Sequence, residues 1–165
     1  MKAKLTISHK RSLALRARPL TINCGFTLIE LLIAMAIIGV LATVGLGSFR
    51  TAQMRGGDAE RKSDLKQISN AMELYFSDYK RYPPTFTFSG EFTDSKTSYL
   101  KVVPNDPGGG TYVYHVSSTG NKYQLFARLE NTQDKNINTA ITVSCGAVTC
   151  NFSITSPNTT PTESL

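Results

Sequence analysis

Gly25-Phe26-Thr27-Leu28-Ile29-Glu30 is the stretch on which the reading of this chain turns. Residues 1–24, before it, carry Lys2, Lys4, Lys10, Arg11, Arg16 and Arg18 and no acidic side chain. After it runs Leu31-Leu32-Ile33-Ala34-Met35-Ala36-Ile37-Ile38-Gly39-Val40-Leu41-Ala42, and over the 24 residues from Phe26 to Phe49 the only charge is Glu30. At about 1.5 Å of rise per residue such a segment makes a helix about 36 Å long. That is enough to cross the hydrocarbon core of a bilayer.

The order G-F-T-L-I-E followed by L-L-I-A-M-A-I-I-G-V-L-A resembles the signal of type IV prepilins and type II secretion pseudopilins. The resemblance implies that a prepilin peptidase cuts between Gly25 and Phe26 and that the new amino terminus, Phe26, is N-methylated. A glycine at the cut presents the protease with extended backbone and no side chain in the way. In an ordinary secretory signal the apolar segment precedes the cut and is discarded; here it follows the cut and stays with the protein. The implied partners are the peptidase, an inner-membrane assembly platform, the membrane as host of the precursor, and other copies or related pilins in a helical filament. The implied location is a single-pass precursor with its leader in the cytoplasm, then an extracytoplasmic filament at the cell surface or in the periplasm.

The cut also explains the charge. The whole chain has a formal charge of +6, but six of its 18 basic residues lie in the leader, which leaves 12 basic against 12 acidic residues afterwards. The basic excess is a topology signal that holds the leader in the cytoplasm, and the neutral remainder lacks the basic stripe of a nucleic-acid surface. Taking 25 leader residues from 165 leaves 140, of which roughly 115 lie beyond the apolar helix, enough for one small domain. Cys24 would be lost with the leader. Cys145 and Cys150 remain as an even pair outside the cytoplasm, which favours a disulfide over two free thiols.

The expected organisation is a leader at 1–25, a transmembrane and assembly helix at 26–49, a globular head at 50–155 and a flexible tail at 156–165 rich in Ser, Thr and Pro. Within the head, Leu65, Ile68, Met72, Tyr75, Phe76 and Tyr79 recur at three- and four-residue intervals, which predicts an amphipathic helix over about 58–80. Gly45 and Gly47 are where the longer helix is expected to soften. Tyr82-Pro83-Pro84 should end it. Residues 85–110 read as a loop long enough to hold a short strand or helix. Tyr112, Tyr114 and Val116, then Tyr123, Leu125, Ala127 and Leu129, alternate with period two and predict a hairpin with one apolar face. Further strands are expected at 140–144 and 150–154, joined by a loop at 146–149. The fold class is therefore α+β and pilin-like: a long N-terminal helix, half membrane-spanning and half amphipathic, packed on a small antiparallel sheet.

Glu30 is the candidate assembly residue. A carboxylate in an apolar helix at bilayer depth calls for a partner, and the resemblance supplies one in the Phe26 amine of a neighbouring subunit. A nearer alternative is the positive N-terminal end of its own helix. Enzyme motifs are absent: the sequence has no Walker loop, G-x-S-x-G elbow, H-E-x-x-H or C-x-x-C, so no catalytic residue is assigned. No cofactor is assigned either, although the resemblance admits calcium, for which Asp94, Asp106 and Asp134 are the loop carboxylates. His115 is expected on the less apolar face of its strand. Asn151-Phe152-Ser153 and Asn158-Thr159-Thr160 match the N-glycosylation pattern. Three readings stay open: a type IV pilin, a pseudopilin of a type II secretion-like system, and a signal-anchored surface protein that never polymerises.

Overall fold

The computed structural model describes residues 25–85 and 87–165; the readings made on the leader, including Cys24, lie outside the described residues. Among the described residues one helix, α1 (Leu28–Tyr79), precedes seven short strands. The chain divides into two units, the first ending at Leu41 and the second running from Ala42 to Leu165. In the first, apolar side chains are exposed all around the helix, from Leu28 at 77% to Ile33 at 53%. The helix continues unbroken through Gly39, Gly45, Gly47, Gly56 and Gly57.

In the second unit most of the expected stripe is buried: Leu65, Ile68 and Met72 lie in the main core beside Ala71, Tyr75 and Phe76 are half-buried against it, and Tyr79 at the end of the helix is exposed. The helix ends where Lys80 turns left-handed at φ 55°, its N–H still reaching Phe76 O at 2.8 Å. The prolines that follow cannot resume it. The long connection then forms a two-stranded ribbon, β1 (Phe92–Thr93) with β2 (Ser98–Leu100). Its Phe92 and Tyr99 close the end of the core beside Tyr75.

The central sheet pairs β3 (Val113–Val116) with β4 (Tyr123–Ala127), and β4 in turn with β7 (Phe152–Thr155), all antiparallel. Tyr112, Tyr123, Leu125 and Ala127 face the helix stripe as the period-two pattern requires. The opposite face is covered as well. Phe126 packs with Ile141, Cys145 and Cys150 in a second cluster, so every residue of β4 is buried.

Four expectations need correction. The strand read at 140–144 forms only at its end, where β5 (Ser144–Cys145) pairs with β6 (Val148–Thr149). Ile141 is buried from irregular chain, so burial of one side chain and not strand pairing accounts for its apolar character. The loop read at 146–149 is correspondingly the turn and second strand of this small hairpin, with Gly146 at φ 80° where an L side chain would be strained, and the last strand starts at Phe152, not at 150. The segment 156–165, read as a flexible tail, lies against the sheet. The Gln124 amide donates to Thr160 O at 2.7 Å and to Glu163 O at 2.8 Å, Lys122 pairs with Glu163, and Ser156 is buried with its Oγ accepting the Tyr123 N–H at 3.1 Å. A buried amide on β4 must be satisfied, and these tail carbonyls satisfy it.

Candidate functional site

Thr27 and Glu30 open α1 as a capping box. The Thr27 N–H donates to Glu30 Oε2 at 2.9 Å, the Thr27 hydroxyl donates to the same oxygen at 2.8 Å, and the Glu30 N–H returns a bond to Thr27 Oγ1 at 3.3 Å. Two of the donors that a helix leaves without partners at its start are thereby satisfied. The carboxylate also sits where the helix dipole is positive. The rarity of a charge in this segment singles out Glu30, and the T-x-x-E spacing from Thr27 is the sequence signal for how it is held. Phe26 precedes the cap outside the helix and is 89% exposed. The Thr27 N–H is the amide that joins Phe26 to Thr27, so a cut between Gly25 and Phe26 leaves the whole box intact. The freed amine would lie on Phe26, four positions before Glu30, which is about one helical turn.

Around this end the helix carries nothing but apolar and small side chains as far as Phe49. Among the described residues this is the one helix long and apolar enough to span a membrane, and none of its apolar window is buried within the chain. A core helix of a soluble protein would be covered. This surface has lipid or other copies as its possible partners.

In the head, two charged side chains of α1 are buried. Arg61 is 4% exposed and Asp58 2%. The guanidinium donates from Nε to Asp106 Oδ2 at 2.9 Å, from Nη1 to Asp58 Oδ1 at 2.9 Å, and from Nη2 to Asp106 Oδ1 at 3.1 Å and Glu130 Oε1 at 2.6 Å. Asp58 also accepts the backbone N–H groups of Glu130 and Asn131, each at 2.8 Å. Burial lowers the Arg61 pKa, but bonds to Asp106, Glu130 and Asp58 and the charge of Asp106 more than reverse that. The available signal was spacing: Arg61 lies four residues before Leu65 and seven before Ile68, on the buried stripe.

Of the three aspartates read as loop carboxylates, Asp106 belongs to this network, Asp134 accepts from Lys62 at 2.6 Å, and Asp94 accepts from Tyr79 at 2.6 Å and Tyr99 at 3.1 Å. The structure does not bring them together. His115 is exposed, its ring edge-on to Phe126 at 5.6 Å. Cys145 and Cys150 form a disulfide with Cα atoms 5.1 Å apart. Asn151 is buried, its amide accepting from Leu129 N at 2.7 Å and donating to Leu129 O at 3.1 Å. That sequon is closed in the folded chain.

Acid should loosen the head through Asp106. Burial raises its pKa, but the Arg61 hydrogen bond, the Gly108 N–H, the Arg61 charge and the Gly110 N–H together hold it below the usual carboxylate range. A depressed carboxylate contributes stability that is present above its unfolded pKa, about 3.9, and is lost as pH falls through the folded value. Asp64 works the other way, raised first by burial and then by the charges of Glu60 and Asp106 against the Tyr112 bond, so its protonation relieves a cost. In acid titrations followed by circular dichroism, Asp106→Asn is expected to be less stable than wild type at neutral pH and to lose less on acidification below about pH 4. Parallel acid limbs in the two proteins would contradict this.

Two family models match the chain: the prokaryotic N-terminal methylation motif over residues 21–46, and type II secretion system (T2SS), protein G, over residues 50–142. The chain belongs to the type II secretion system protein G family. Among curated relatives, it is 28% identical over 114 residues to type II secretion system core protein G of Pseudomonas aeruginosa, covering 62% of this chain and 80% of that one. It is 32% identical over 119 residues to type IV major pilin protein PilE1 of Neisseria gonorrhoeae, covering 67% of this chain and 72% of the pilin. The type IV major pilin protein PilA of Myxococcus xanthus is 45% identical over 60 residues, which cover 36% of this chain and 27% of that pilin. No solved structure matches. As a member of this family the protein is a structural filament subunit of the pilin and pseudopilin kind, with the α+β layout of a long helix on small antiparallel sheets.

Proposed function

We propose that this chain is made as a membrane-anchored precursor with its basic leader in the cytoplasm, cut by prepilin peptidase between Gly25 and Phe26, N-methylated at Phe26, and drawn by an inner-membrane assembly platform into an extracytoplasmic type IV pilus-like filament. It performs no catalysis of its own. The observation that carries this reading is that none of the apolar window of α1 is buried within the chain, with a single capped carboxylate at the start of the helix. Lipid covers that surface in the precursor. In a polymer the same surface is buried by copies in a repeating contact that does not close on itself, which generates a fibre. The matched methylation motif over 21–46 supports processing.

A second reading, a short pseudopilus of a type II secretion-like system, is favoured by the protein G model over residues 50–142. Both share one assembly physics. Mass spectrometry of the protein from cells tests the common part: a chain beginning at N-methylated Phe26 is expected, and a chain that keeps its leader and stays monomeric would make it a signal-anchored surface protein instead. Immunogold imaging separates the other two. Labelled surface fibres are expected, and their absence from cells in which the processed chain polymerises would favour the periplasmic form.

A further inference from the structure

Calcium enters the reading of this chain through its family resemblance, and it would need oxygens from the loops of the head. Calcium takes six to eight of them, so fit depends on whether the loop carboxylates have oxygens to give. In Asp106, Oδ1 already accepts from Arg61 Nη2 and from Gly108 N, and Oδ2 accepts from Arg61 Nε. In Asp134, Oδ2 accepts from Lys62 and Oδ1 from Asn136 N at 2.9 Å. In Asp94, Oδ1 accepts from the Lys96 and Thr97 N–H groups and Oδ2 from two tyrosine hydroxyls. The residues present do not fit the ion.

What the chain has instead is a pair of cations at adjacent positions on one helix. Neighbours on a helix point about 100° apart, so Arg61 and Lys62 reach different segments. Arg61 holds Asp106 of the 104–110 loop and Glu130 after β4, and Lys62 holds Asp134 in the next loop. The glycine loop is drawn down over the guanidinium. A Cβ on Gly108 would stand 2.4 Å from Arg61 Nη2 and 3.3 Å from Glu130 Oε1. A divalent ion arriving at Asp106 would meet a buried positive charge locked by four hydrogen bonds.

We propose that the loops of this head are fastened by two cations of its own, the Arg61 guanidinium and the Lys62 ammonium, and that the protein neither binds nor needs calcium to fold. The inference is independent of how the filament is built. The test uses the detergent-solubilised full-length protein, with thermal unfolding followed by circular dichroism after exhaustive chelation and again in excess calcium, and with calcium titrated calorimetrically. The same midpoint in both conditions and no saturable calcium binding are expected. A midpoint that rises with calcium, or binding at one ion per chain, overturns the proposal. Arg61→Ala is expected to lose the most stability, so Arg61→Lys is the working variant: it keeps the charge and gives up the planar fork. Its midpoint should fall equally with and without calcium. A midpoint equal to that of the wild type would show that the guanidinium fastens nothing.

Discussion

Glu30→Leu is expected to leave cleavage after Gly25 intact and to reduce the protein recovered in sheared filaments by roughly tenfold or more, the factor that follows from losing one modest coupling between subunits. The reasoning begins with what the carboxylate does in a single chain. It accepts from the Thr27 N–H and hydroxyl and closes the first turn of α1, so part of its place is explained without any neighbour. That cap does not neutralise the charge. A charged group within an apolar helix at membrane depth remains costly until a cation reaches it, and the amine freed at Phe26 is the cation that processing creates. In the proposed filament, a neighbouring subunit's amine at Glu30 would fix the axial offset between two helices whose remaining surface, from Leu31 to Phe49, is apolar and specifies no register. Leucine makes the helix more comfortable in lipid and removes the fixed point. Glu30→Gln separates the two roles: it keeps a capping acceptor but not the charge. If glutamine restores filament yield, the cap is what matters; if it fails with leucine, the charge is. Wild-type yield from Glu30→Leu would sink the assembly role altogether.

How much of this was legible beforehand divides along a physical line. Local patterns were readable because they depend on short-range geometry: the apolar run, the stripe from Leu65 to Phe76, the prolines after Tyr82 and the alternation from Tyr112 to Leu129. The Cys145–Cys150 bridge closes a hairpin that the spacing alone allowed. What escaped was set by contacts between distant segments. Asp58, Arg61, Asp106 and Glu130 look like solvated charges when each is read among its neighbours, and become a buried network only when the loop at 104–110 and the end of β4 arrive at the helix. Gln124 looked like the outward residue of a half-buried strand until the last segment of the chain came back across it. The composition of that segment, Ser, Thr and Pro, is shared by loose tails and by chain that pairs through its backbone carbonyls. Nothing in it distinguishes the two.

The network also yields the largest stability effect expected in the head. Asp58→Ala removes the acceptor of three bonds at once: from Arg61 Nη1 at 2.9 Å, and from the Glu130 and Asn131 N–H groups at 2.8 Å each. The pair is buried on both sides, with side chains 5% and 3% exposed, so water cannot replace the lost oxygens. Arg61 keeps Asp106 and Glu130, so the cost is that of three donors left without their acceptor, about 1–3 kcal/mol for each that is buried. A small domain has about 5–15 kcal/mol to lose, so the variant is expected at the edge of unfolding at growth temperature, with poor accumulation in the membrane. Asp58→Asn provides the graded comparison, since its amide oxygen can still accept while its charge is gone. It should fall between alanine and wild type in thermal midpoint. The exposed carboxylate Glu60, two residues away and with no hydrogen bond among those described, is the control whose replacement by alanine should change little. If Asp58→Ala unfolds at the wild-type midpoint, Arg61 must be held by Asp106 and Glu130 alone, and Asp58 contributes nothing to the clamp.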